Sequence, residues 1–91
     1  MKVKVYCLEY LNKNLAIDLF EVNKEGEETP VATLTKDFVK LPKPYAVLDI
    51  NKYPWAERFI VENNFGKPTG QEVKSGFTKY PIDKFNIGGM L

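Results

Sequence analysis

The residues best suited to chemistry lie in one stretch near the C-terminal end, GKPTGQEVKSGF, which covers residues 66–77. The stretch combines glycines with ammonium and hydroxyl side chains, namely Gly66, Lys67, Thr69, Gly70, Lys74, Ser75 and Gly76. Small residues let backbone N–H groups approach an anion, and hydroxyl and ammonium groups can complete such a cradle. The pattern predicts either a phosphate-holding loop or an ordinary glycine-bounded turn.

This stretch does not match a Walker loop. The Gly-Lys-Ser/Thr order is absent, and Pro68 lacks an amide donor. The stretch also follows the predicted helix instead of opening one, so no helix N-terminus contributes its dipole. We predict that a ligand or partner would contact the residues that we expect to be exposed there, which are Lys67, Thr69, Lys74, Ser75 and Tyr80.

Most other catalytic and metal chemistry is excluded by composition. The chain has no histidine and a single cysteine, Cys7. Ser-His and Cys-His nucleophile pairs are therefore impossible, and one cysteine cannot supply a zinc ligand set. The acidic turn NKEGEET, residues 23–29, lacks the alternating acidic positions of a calcium loop. We predict no catalytic residue, no metal site and no cofactor.

Two catalytic alternatives stay open. Asp18 and Asp49 could face each other in the sheet, where opposed carboxylates would raise one pKa, but the alternation favours a solvent-facing position for each. Cys7 could act as a nucleophile, but its strand position between Val5 and Glu9 favours a small core residue. We expect a protein that is not an enzyme.

The charge pattern and the length of the apolar runs limit the classes of partner and the cellular location that we expect for this protein. Net charge is +1, and twelve lysines and one arginine alternate with acids along the chain, which gives no strong nucleic-acid signal. One cysteine favours a reducing compartment. No apolar run approaches the roughly 18 residues of a membrane helix, and Glu9 interrupts the opening segment before it resembles a signal peptide. We expect a soluble, cytoplasmic monomer or homodimer without a membrane partner.

Alternating hydrophobicity predicts most of the strands. The 91 residues are 44% apolar and predict one domain, 1–91, with a frayed tail at 87–91. Strands are predicted at 2–10, 15–22, 30–34 and 45–50, with turns at 12–14 and 23–28 and an irregular crossing segment at 35–44. A loop at 66–70 then precedes short extended segments at 71–74, 77–80 and 82–87.

One helix is predicted over residues 54–63. Pro54 suits a first helical turn, and Asn64 or Gly66 suits a left-handed C-terminal cap. The apolar stripe consists of Trp55, Ala56, Phe59 and Ile60, while Glu57, Arg58 and Glu62 take the other side. The fold class predicted is α+β: a small antiparallel β-sheet of about five to six strands with a single amphipathic helix packed on one face.

Several segments resemble a family of small proteins of unknown function that are encoded on conjugative transposons, prophages and related mobile elements of gut-type bacteria. The strongest matches are Pro54-Trp55-Ala56, Gly66-Lys67-Pro68-Thr69-Gly70, Ser75-Gly76-Phe77 and Tyr80-Pro81, with YAVLDIN, LAIDLFEV and VATLT upstream. The resemblance covers roughly residues 15–86. Within it, Trp55 and Phe77 are interpreted as core anchors and residues 68–70 as a shaped turn.

The resemblance implies that the protein is encoded on a mobile genetic element, but it implies no particular reaction. Small proteins of such elements often act by binding, so we expect a non-enzymatic binding or accessory protein that modulates or inhibits a host system, such as defence, through a host protein partner. One alternative is a protein that sequesters a nucleotide or small anion with the 66–80 loop. Another is a structural or assembly element.

Overall fold

Residues 2–87 are described by the computed structural model, and the chain forms seven strands and one helix within them. In chain order these are β1 Lys2–Glu9, β2 Leu15–Val22, β3 Glu28–Thr33, β4 Thr35–Lys36, β5 Tyr45–Leu48, α1 Ala56–Glu62, β6 Gly66–Ser75 and β7 Thr78–Phe85. Of the tail predicted to fray, Ile87 packs against the core, and residues 88–91 lie outside the described part.

The strands form two antiparallel sheets, ordered β1-β2-β3 and β4-β5-β7-β6. An antiparallel, mostly β fold with a single helix is confirmed, but the prediction of one sheet with five to six strands is wrong. The sheets meet at Leu34, whose N–H donates to the carbonyl of Ile17 and whose carbonyl accepts from Asp49, both at 2.8 Å. The second sheet begins after Leu34, because the next strand, β4, pairs with β5.

Both sheets and the helix contribute to one core. Its fully buried members include Ile17 from β2, Leu48 from β5 and Ile60 from α1, each 0% exposed. A smaller cluster of Val47, Tyr80 and Ile82 lies on the opposite face of the second sheet. This second cluster is covered by side chains of the segment that joins β4 to β5, so the predicted crossing segment buries apolar surface.

The turn between β1 and β2 anchors that crossing segment. Lys13 takes the left-handed conformation, with φ of 76°, as the predicted turn requires. Asn14 is buried and donates through Nδ2 to Asp37 Oδ1 at 2.8 Å and to the carbonyl of Val39 at 2.7 Å. Its Oδ1 accepts the N–H of Leu41 at 3.1 Å. One amide side chain therefore fixes the segment over the smaller cluster.

Helix α1 is shorter than predicted at both ends. It directs Ala56 and Ile60 into the core, as the apolar stripe predicts, and Asn64 follows it with φ of 60°. Asn64 is thus the left-handed residue, as one of the two predicted candidates. No helix among residues 2–87 is long and apolar enough to cross a membrane.

Trp55 is not the core anchor that the stripe predicts. It precedes the first helical residue, and 43% of it is exposed. Its ring lies on the protein surface, 5.6 Å from the ring centroid of Tyr53 and 6.0 Å from that of Phe59. The interpretation fails because the helix starts at Ala56, two residues later than predicted, so Trp55 occupies the N-cap and lies outside the buried stripe.

Candidate functional site

Residues 66–70, predicted as a loop, begin a long β-hairpin, and the segments predicted as extended at 71–74, 77–80 and 82–87 lie largely in its two strands. Strand β6 pairs with β7 from Gly66 opposite Phe85 to Ser75 opposite Thr78. The register shifts between Pro68 and Glu72, around a Gly70 with φ of 86°. The Pro-Thr-Gly segment is therefore a bulge within a strand, because pairing with β7 overrides the local turn propensity.

The outer half of this hairpin extends past the rest of the sheet. Strand β5 pairs with β7 only at Ile82, Asp83 and Lys84. The residues of β7 before Ile82 therefore pair with β6 alone, as a two-stranded ribbon. The molecule is correspondingly elongated, with principal extents of 41 × 24 × 23 Å.

The five predicted contact residues are not brought into one cradle. Directly opposed residues share a face of the sheet, so Lys67 lies beside Lys84 on one face and Lys74 lies beside Lys79 on the other. The pairs that contain Lys67 and Ser75 are six residues apart along β7, which is roughly 20 Å. A loop would have gathered these groups, whereas a strand spreads them along its length.

Tyr80, expected on an exposed surface, is 4% exposed. Its ring packs edge-on against Phe38 at 5.4 Å, and the Lys36 ammonium lies 5.1 Å from its centroid. The alternation along β7 directs Tyr80 into the smaller cluster. That expectation of exposure is therefore wrong.

Thr69 is exposed, but its hydroxyl is used within the fold. Thr69 Oγ1 donates to the carbonyl of Ile82 at 2.7 Å and accepts the N–H of Gln71 at 3.1 Å. These bonds close the bulge. Lys67, Lys74 and Ser75 are also exposed, as expected.

The turn of the hairpin carries an uncovered aromatic ring. We define the hairpin tip as residues 74–79. Gly76 takes the left-handed conformation with φ of 63°, and Phe77 beside it is 105% exposed. The interpretation of Phe77 as a core anchor is wrong, because the turn lies at the far end of the ribbon. Lys74 and Lys79 stand opposite each other just below the ring.

A pocket of about 280 Å³ opens at the other end of the hairpin. We call it the base pocket; it is lined by Asn64, Gly66, Lys67, Lys84, Phe85 and Asn86. A Cβ at Gly66 would lie 2.8 Å from the carbonyl oxygen of Lys84. Only glycine therefore fits without displacing the backbone, which explains this residue better than the predicted helix cap.

A buried carboxyl pair was missed by the sequence analysis. Asp83 is 0% exposed, and apart from the Glu57 carboxyl group no group among the described residues is placed to hydrogen-bond its carboxylate oxygens. Burial, followed by the hydrogen bond to Glu57 and the charge of that residue, raises the pKa of Asp83 to about 8. Glu57 was predicted on the solvent side of α1, but its Oε2 is buried as well.

A sequence signal for this pair existed. Asp83 lies two residues before Phe85 on a strand, and Glu57 lies three residues before Ile60 on a helix, so each shares a face with a core residue. Two carboxyl groups at this position can share one proton, which ties the helix to the sheet.

The alternative pair, Asp18 and Asp49, does not take the solvent-facing positions that alternation favours. Asp49 is buried, and its Oδ1 accepts the N–H of Lys52 at 3.2 Å, so it caps the turn after β5. Asp18 has one buried carboxylate oxygen that meets no donor within residues 2–87. Burial raises the pKa of Tyr10, and the nearby carboxylates of both aspartates add to the rise.

These features define a small antiparallel β protein with one helix and a projecting hairpin. A family model described as "Domain of unknown function (DUF4313)" matches residues 2–90. The chain belongs to that family. No curated protein and no solved structure matches the chain significantly.

Proposed function

We propose that this protein is a non-enzymatic binding protein that contacts a protein partner through the hairpin tip. The observation that carries the proposal is the full exposure of Phe77 at the end of a projecting ribbon. Burying a phenylalanine side chain contributes about 1.5–3 kcal/mol. A partner with an apolar pocket gains this free energy when it accepts the ring.

The surroundings of the ring favour an acidic protein surface as the partner. Interfaces commonly place an aromatic anchor at the centre and polar residues at the rim. Lys74 and Lys79 supply that rim, and like charges directly opposite each other are mutually unfavourable until a counter-charge arrives. The net charge of +1 argues against a nucleic acid, which would require a wider basic surface.

The edge of β6 is a less favourable contact than the tip. As the last strand of its sheet, β6 has one unpaired edge that a partner strand could join. Its first half carries Pro68 and the bulge at Gly70, and both features hinder the addition of a strand. We therefore place the contact at the side chains of the tip.

The position of the carboxyl pair supports binding without catalysis. Asp83 and Glu57 face each other, and full burial of Asp83 leaves it no surface for a substrate. The base pocket and a second pocket of about 410 Å³ beside Cys7 and Lys43 are lined by other residues. The perturbed pKa thus belongs to a structural contact.

We infer the kind of partner from the resemblance to proteins of mobile genetic elements. The partner is a cytoplasmic host protein, and binding modulates or inhibits a host system such as defence. An exposed anchor on a small stable scaffold suits this role, because the partner meets a preformed surface.

Photo-crosslinking tests the proposal in host cells. A photoreactive phenylalanine analogue replaces Phe77 in one variant and Leu11 in another. Leu11 is a matched control because it is also 105% exposed, in the turn between β1 and β2. We expect one discrete crosslinked host protein from position 77 and none from position 11. Equal crosslinking from both positions, or none from position 77, would contradict the proposal.

A further inference from the structure

We infer that the base pocket binds the phosphate group of a small organic phosphate, with the size of a nucleoside monophosphate. Lys67 and Lys84 are directly opposed on β6 and β7, so their side chains leave the same face of the sheet. Both line the pocket. Two lysines that line one pocket can both donate to a phosphate dianion, for which lysine is a common ligand.

No ion pair among residues 2–87 neutralises the charge of this lysine pair. The ion pairs within residues 2–87 join Lys4 to Glu28, Lys43 to Glu9 and Arg58 to Glu62. Neither lysine of the base pocket takes part in them. Opposed like charges destabilise an antiparallel ladder, and a bound anion would convert this repulsion into attraction.

Two asparagines complete the rim of the pocket with neutral donors. Asn64 and Asn86 both line it, and each amide NH₂ can donate to a phosphate oxygen. Both backbones are held in place: the N–H of Asn64 donates to the carbonyl of Val61 at 3.1 Å, and that of Asn86 to the carbonyl of Phe65 at 2.7 Å. The backbone that carries these two side chains is therefore held at the pocket.

The negative end of helix α1, which would oppose an anion, is largely satisfied. The carbonyls of Ile60 and Val61 accept the N–H groups of Phe65 and Asn64, at 2.9 and 3.1 Å. Capped carbonyls present less negative potential to a neighbouring site. The lysine pair thus dominates the local charge.

The size and wall of the pocket limit the ligand. Its volume of about 280 Å³ lies near the lower end of the range for small-molecule sites. Gly66 and Phe85 both contribute to the lining. A phosphate that carries a single nucleoside is of a size comparable to this volume, while a dinucleotide is too large.

The base pocket is separate from the hairpin tip. The pair of Lys67 and Lys84 lies five residues along β7 from the pair of Lys74 and Lys79, which is roughly 17 Å. The tip carries its own opposed lysines, Lys74 and Lys79, neither of which lines the base pocket. Phosphate binding at the base pocket and partner binding at the hairpin tip can therefore be tested independently of each other.

Titration monitored by amide NMR tests the inference. Adenosine monophosphate and inorganic phosphate are titrated in parallel at constant ionic strength. We expect saturable shifts at the amides of Asn64, Gly66 and Asn86, with adenosine monophosphate bound more tightly than phosphate. Lys67→Gln and Lys84→Gln should each weaken binding at least about tenfold.

Lys79→Gln is the matched control, because it also removes one charge from an opposed lysine pair of the same hairpin. It should change the affinity less than about twofold. An equal loss in Lys79→Gln and Lys84→Gln would show binding to diffuse charge and overturn the inference. Failure to saturate at about 10 mM ligand, or equal affinity for both ligands, would also overturn it.

Discussion

Glu57 on α1 and Asp83 on β7 face each other inside the protein, carboxyl group to carboxyl group. Ionised carboxylates only accept hydrogen bonds, so the two can be bonded only when one of them carries a proton. Burial of Asp83 and the neighbouring Glu57 keep that proton bound by raising the pKa of Asp83 to about 8. We therefore expect a shared proton to join the helix to the sheet at neutral pH.

Stability should fall as pH rises because of this pair. Between the ordinary pKa of 3.8 and the raised value of about 8, the folded state binds a proton that the unfolded state has lost. The free energy of unfolding therefore decreases with pH in that window, by at most about 1.4 kcal/mol per pH unit. Urea unfolding at several pH values measures the slope.

Asp83→Asn is the control for the pH slope, because its amide needs no shared proton. This variant should show a flatter profile between pH 5 and 8, within the same window. Glu28, whose pKa is lowered by the Tyr6 hydrogen bond, acts with the opposite sign and only toward acid pH. A wild-type profile that rises toward pH 8 would contradict a protonated Asp83.

Gly66→Ala should destabilise the fold. The new methyl group would lie 2.8 Å from the Lys84 carbonyl oxygen and 3.2 Å from Ile60 Cγ2, so the backbone of the hairpin must move. Overpacking of this kind costs about 1–3 kcal/mol. Chemical denaturation measures the loss, and Lys67→Ala, at the adjoining exposed position, should remain near wild type. Equal stability of the two variants would argue against the close contact.

Ile60→Ala should cost more stability than Trp55→Ala. Ile60 is fully buried, so its truncation leaves a cavity and costs about 2–5 kcal/mol. Trp55 is 43% exposed and is packed on one side by other rings. Thermal or urea unfolding of the two variants compares the losses. A greater loss of stability in Trp55→Ala than in Ile60→Ala would indicate that the indole belongs to the core and would contradict this prediction.

Cys7 should react slowly with thiol reagents in the folded protein. The side chain is half-buried and packs against the core, as expected for a small apolar residue. Burial raises the pKa of its thiol, and Lys43 offsets part of that rise, so little thiolate is present near neutral pH. Labelling with and without denaturant measures the protection; equally rapid labelling in both would show an accessible thiolate.

Hydrophobic alternation predicted the local structure well where it was strong. Strand β2 occupies the predicted residues 15–22, and β1 ends one residue before its predicted end at 10. The Asn-rich turn between them contains a left-handed Lys13. In these segments the local pattern and the tertiary pairing favour the same structure, so the sequence alone was sufficient.

The candidate site was less predictable because its geometry depends on register. Lys67 was predicted as a contact residue, but its neighbour Lys84 was not, since their pairing follows a bulge that no local pattern locates. Tyr80 was expected to be exposed but is buried by the alternation along β7. Phe77 was expected in the core but is exposed by the hairpin turn. Aromatic residues are buried on average, but the position of each one in the topology determines whether that side chain is buried.

The central claim, that Phe77 anchors a protein partner, is tested most directly by affinity. Once the crosslinked host protein is identified, isothermal titration calorimetry compares its binding to the wild type, Phe77→Ala and Leu11→Ala. We predict that Phe77→Ala weakens binding at least about tenfold, which is 1.4 kcal/mol, and that Leu11→Ala does not. Unchanged affinity in Phe77→Ala, with the fold intact, would contradict the account.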